Sequence, residues 1–165
     1  MANTVFNTFK KFSVGSSSGA FKKITLLTDT IKVALVTSGY SVDPDDNLFS
    51  DGTTSDAASY EFNNSTGGYA GGIGGSTGRK TLASKTMTQD NTNNRAVFDA
   101  ADITWTSINA GTAGAAILIR EGGAGTTTSD TGTTMICYID SGFPVVTNGG
   151  DLTISWSTAG IVDLT

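Results

Sequence analysis

Histidine is absent from the 165 residues, and with it the commonest general base and metal ligand. The single cysteine, Cys137, excludes an intramolecular disulfide. It lies in the apolar run Met135-Ile136-Cys137-Tyr138-Ile139 and reads as a small buried hydrophobe. No imidazole is present to activate it as a nucleophile. Two prolines and the lack of a G-X-Y period exclude collagen. No stretch approaches the ~18 consecutive apolar residues of a membrane-spanning helix. Asn, Thr and Lys interleave near the N-terminus, which therefore lacks the apolar centre of a secretion signal. Apolar residues (38%) and charged residues (15%) are both scarce compared with an ordinary globular domain.

Glycine, serine and threonine fill the gap, with 65 of the 165 residues. All three are modest helix formers and threonine favours strands. The length suits one domain with a sizeable core. Ile31–Thr37 is the first clear strand, and Thr81–Thr88 is strand-like. Short apolar segments then recur at Ala96–Asp99, Ile103–Ser107, Ala115–Glu121, Met135–Ile139, Val145–Thr147, Leu152–Ser157 and Ile161–Leu164. Turn signals separate them and no long helical pattern intervenes, which argues against βαβ units. The expected fold is all-β, a single antiparallel β-sandwich of jelly-roll or Ig-like type with a short helical N-terminal arm.

The net charge of −5 hides a polarity. Residues 1–33 carry five lysines against Asp29 alone, while the remainder carries five basic and fourteen acidic residues. Such asymmetry points to a segment with its own partner. Nucleic acid is not expected, because the segment has no arginine and the acidic body repels phosphate. Val5, Phe6, Phe9 and Phe12 make the apolar stripe of a short helix that Asn3 or Thr4 would cap. The division expected is an arm over residues 1–23, hinged at Gly15–Gly19, and a body over 24–165. The stripe is too short to persist alone in water, so it needs a partner surface. Phe6, Phe9 and Phe12, with Lys10, Lys11, Lys22 and Lys23 around them, are the candidate partner-binding residues. The aromatics would set affinity and the lysines orientation.

Other motifs are weaker. Gly74–Thr81 resembles a phosphate cradle, but Ile73 replaces the first glycine of a P-loop and Arg79 replaces its lysine. Asp43, Asp45 and Asn47 begin like a calcium loop, yet Leu48 and Thr54 stand where an EF-hand needs Gly and Glu. The 41–57 segment thus reads as a polar surface loop, as does Gly122–Asp130. Trp105 and Trp156 alternate in phase with Ile103 and with Leu152 and Ile154, which puts both indoles on core-directed strand faces. Leu35, Ile117, Ile119, Ile136 and Ile154 are expected to join them there, leaving Tyr40, Tyr60 and Tyr69 for the surface. No nucleophile–base pair, metal set or cofactor motif stands out, so no enzyme is expected.

The run Ile31–Ser38 with Tyr40 and Asp43 is followed by Gly68-Tyr69-Ala70-Gly71-Gly72 and by Lys80-Thr81-Leu82. Arg95–Trp105, Tyr138-Ile139-Asp140 and Gly150–Trp156 complete the series. In this order they resemble a family of small all-β virion structural proteins of tailed bacteriophages. Ile73–Gly78 and Gly122–Asp130 depart from that pattern as insertions. The resemblance implies a structural part on the virion's capsid surface. It would be a head decoration (cement) protein that binds the major capsid protein and bridges its neighbouring subunits, most simply as a homotrimer. Small size, one domain and the arm favour this. The alternative is a tail or fibre component with a host-receptor-binding sandwich, although repeats and a coiled-coil shaft are absent. Neither nucleic acid nor a membrane is expected as a partner.

Overall fold

Ile31–Val36 and Ala115–Ile119 are apolar at every position but one, too dense for strands with one face in water. In the computed structural model, which describes residues 3–15, 23–62, 68–72, 78–121 and 130–164, these strands are buried on both faces. The elements are β1 (Thr4–Val5), α1 (Asn7–Ser13), β2 (Ile31–Val36), β3 (Lys80–Thr81), β4 (Thr86–Asp90), β5 (Arg95–Asp99) and β6 (Ile103–Trp105). They continue with β7 (Gly111–Ala113), β8 (Ala115–Arg120), β9 (Thr134–Ile139), β10 (Val145–Thr147), β11 (Leu152–Ile154) and β12 (Val162–Leu164).

The fold is all-β. A five-stranded antiparallel sheet in the order β1-β9-β8-β2-β3 forms its centre. Smaller antiparallel sheets, β12-β5-β4, β11-β6 and β10-β7, accompany it. One face of the central sheet (Val33, Leu35, Leu118 and Ile136) packs with Trp105, Phe98, Phe9 and Phe12. The other (Ala34, Val36, Ile117 and Met135) packs with Phe6, Tyr40 and Phe49. The 41–57 segment is therefore a lid on the second face as well as a surface loop. Phe49 is fully buried, and its N–H and C=O bond to Thr133 and Ala58.

Backbone chemistry ends several strands earlier than expected. β6 stops at Trp105 because Ser107 takes a left-handed conformation (φ 52°) and donates its N–H to Asp151 at 2.9 Å. β11 stops at Ile154 because the Trp156 N–H donates to the Asp102 carboxylate at 2.9 Å, outside the ladder. Gly114 separates β7 from β8, and a Cβ there would lie 2.4 Å from the Ser38 backbone nitrogen. Such breaks divide the strands of the described residues among four antiparallel sheets.

The N-terminal segment differs most from expectation. β1 pairs with β9 (Thr4 with Tyr138, Val5 with Cys137), making it an edge of the central sheet. Asn3 and Thr4 do not cap α1. The cap position is Phe6, without a side-chain cap, while Asn3 donates instead to the Ile161 carbonyl at 2.8 Å. Phe6, Phe9 and Phe12 are all buried in the chain's own two cores. The partner that the stripe needs is the body of the same chain, which corrects the reading of these three aromatics as a surface for a neighbour. The Gly15–Gly19 hinge falls, beyond Gly15, outside the described residues, as does Lys22.

Candidate functional site

With the aromatics turned inward, what α1 shows to solvent is its lysines. Lys10, Lys11 and Lys23 are exposed, and among the described residues none pairs with a carboxylate. The Lys10 Nζ donates to Asn7 at 3.3 Å, and the Lys11 Nζ lies 5.5 Å from the centre of the Phe12 ring. Apolar side chains stand among them. Val14 is 87% exposed, Leu27 47% and Met87 37%. Two grooves, of about 530 and 230 Å³, meet here and share Ser13 and Leu164 in their walls. The first holds Lys10 and Val14, the second Lys23, Leu27 and Met87. This basic and apolar face belongs to an otherwise acidic protein.

The aspartates of residues 43–56 are tied up locally. Asp43 accepts the Asp45 N–H, Asp45 the Asn7 side-chain amide and Asp46 the Tyr40 hydroxyl, at 2.9, 2.6 and 2.9 Å. Among the described residues no three acidic or cysteine side chains gather as a metal cage. Asp56 starts the 3₁₀ turn Ala57–Tyr60, accepting the Ser59 N–H at 2.9 Å and hydroxyl at 2.8 Å, and the Ser50 hydroxyl at 2.9 Å. Burial pushes its pKa up, but these bonds outweigh it and hold the carboxyl below the ordinary 3.8. A carboxyl depressed on folding stabilises fully above its unfolded pKa, and that contribution disappears as pH falls through the folded value. Thermal unfolding midpoints should therefore drop below about pH 4 less steeply in Asp56→Asn than in the parent. Parallel slopes would contradict this role.

Arg79, read in the sequence beside a failed phosphate cradle, points inward. Its guanidinium is fully buried and binds three carboxylates. Nε and Nη2 donate to Glu61, each at 2.8 Å. Nη1 and Nη2 donate to Asp130 at 2.7 and 2.9 Å, and Nη1 also to Glu121 at 3.2 Å. Phe49 stacks beneath, 4.6 Å from ring centre to guanidinium carbon. Lys32 completes the cluster by pairing with Glu121. Tyr69, expected at the surface, is buried and donates its hydroxyl to Glu61 at 2.9 Å. Three carboxylates against two cations make this a clasp whose net negative charge repels phosphate. Arg120 is the contrast: also buried, among the described residues it leaves Nε without a partner and reaches only Thr134, at 3.5 Å.

The two tryptophans part company. Trp105 is fully buried, as are Leu35, Ile117, Ile119 and Ile136. Trp156 and Ile154 are only partly buried and line a cleft of about 510 Å³ between β1 and the turn at Ser157–Gly160. Alternation placed Trp156 toward the core, but β11 ends at Ile154 and the indole packs against the core while staying only partly buried. The Cys137 thiol is buried, and burial pushes its pKa up to about 12, which keeps it protonated and unreactive at neutral pH. Comparison with protein-family models, curated proteins and solved structures finds no match to the chain.

Proposed function

We propose that this chain is a structural protein of a tailed-phage virion. In this reading it is a head decoration protein that docks on the major capsid protein, bridges neighbouring subunits and acts as a homotrimer. The observation that carries the reading is the face around α1. Lys10, Lys11 and Lys23, with no carboxylate partner among the described residues, surround exposed Val14, Leu27 and Met87, as a surface built to meet an acidic protein would require. Desolvating the apolar side chains supplies affinity, whereas exposed ion pairs contribute only about 0–1 kcal/mol each and mainly set approach and orientation.

The test is attachment to particles of the parent phage. Leu27→Asp should reduce occupancy sharply at any salt concentration. Lys10→Glu combined with Lys23→Glu should slow binding and remove its salt dependence. Undiminished attachment by both variants would overturn this docking face. The second reading, a tail or fibre component that engages a host receptor, is favoured by the open cleft beside Trp156. Cryo-EM of the intact particle separates the two by density on the capsid lattice or on the tail.

A further inference from the structure

The Trp156 cleft adjoins the Lys10 groove and shares Asn3, Val5 and Asp163 with it, but the rest of its lining differs in chemistry. At about 510 Å³ it falls within the range of about 300–1,000 Å³ typical of small-molecule sites. The indole forms one wall and is held at two points. Its Nε1–H donates to the Ala101 carbonyl at 3.0 Å, and its backbone N–H donates to Asp102 at 2.9 Å. A ring fixed in this way loses little freedom when something stacks on it. Val5, Ile154 and Ile161 continue the apolar surface, while Ser141 and Ser155 bring exposed hydroxyls to the rim.

Charge narrows the ligand further. Asp163 is the one ionisable side chain among the lining residues, and it is already paired with Arg95. No lining cation is present to hold a phosphate or carboxylate, and the paired aspartate offers little to a free cation. A flat apolar wall with hydroxyl and carboxylate acceptors around it suits a molecule with an apolar face and a hydroxylated edge. A pyranose ring has that shape, with axial C–H groups on one face and hydroxyls at its edge.

We infer that this cleft binds a neutral saccharide, with one pyranose ring stacked on Trp156 and its hydroxyls bonded to Ser141, Ser155 and Asp163. The site rests on these side chains alone and holds whether the protein sits on a head or a tail. Saturation-transfer NMR on the intact chain tests it, using glucose, galactose, mannose, N-acetylglucosamine and rhamnose, with chitotriose to detect reading of more than one ring. At least one of these should receive saturation. Trp156→Ala should weaken that binding by about tenfold or more, while Trp156→Phe retains part of it. Should Trp156→Ala fail to melt cooperatively, Ser155→Leu decides, because it fills the cleft mouth from an exposed position and should abolish the signal. Silence from the whole panel on the parent protein would overturn the inference, as would a signal that survives Ser155→Leu. Equal binding of inorganic phosphate would also overturn it.

Discussion

Removing residues 1–15 should abolish cooperative folding of the body rather than detach a handle. Phe6, Phe9 and Phe12 are fully or almost fully buried, and they fill space on both faces of the central sheet. Each buried phenylalanine contributes roughly 1.5–3 kcal/mol, so three approach the whole stability of an ordinary domain, about 5–15 kcal/mol. The pairing of β1 with β9 and the Phe6 N–H bond to the Ile136 carbonyl (3.1 Å) would disappear with them. Circular dichroism and a melting curve on the truncated chain give the answer. A truncated body that melts as sharply and at the same temperature as the full chain would show the segment to be an appendage.

Arg79→Met should cost about 3–5 kcal/mol, the usual loss when one member of a buried ion cluster is removed and its partners remain. Glu61 would keep the Tyr69 hydroxyl and the Gly72 N–H at 2.9 Å each. It would nevertheless face Asp130 and Glu121 with only Lys32, paired to Glu121, left to offset three carboxylates. Arg120→Met is the control. Arg120 is buried and forms no direct ion pair among the described residues, with only a longer-range attraction to Asp29, so replacing it with an apolar chain should cost little or even stabilise. Chemical denaturation of both variants measures the contrast. Equal losses would mean that the carboxylates around Arg79 contribute nothing specific.

The all-β architecture and most of the strands were legible because density and alternation of apolar residues are local signals. Ile31–Val36 and Val145–Thr147 fall where the pattern puts them. The Arg79 clasp was not legible, since Glu61, Glu121 and Asp130 reach it from separate segments that only the tertiary fold brings together. Isolated charges in a sequence carry no sign of that convergence. The aromatic stripe of α1 was visible, but the surface it meets was not. Amphipathicity states that one face must be covered and is silent on whether the same chain covers it. Trp156 shows the complementary limit: alternation gives a side chain's face but not where the strand ends, here two residues before the indole.

Both outer strands of the central sheet, β1 and β3, are only two residues long. An edge that short offers another copy almost no row of free N–H and C=O groups to extend. This limits edge pairing at the central sheet alone, because β4 ends the β12-β5-β4 sheet as a mostly exposed strand of five residues. The protection is thin on one side. β9, the strand behind β1, is six residues of mostly buried side chains, so fraying of the first few residues would unmask a long, sticky edge. The cover over this edge of β9 thus depends on two residues near the N-terminus staying in register.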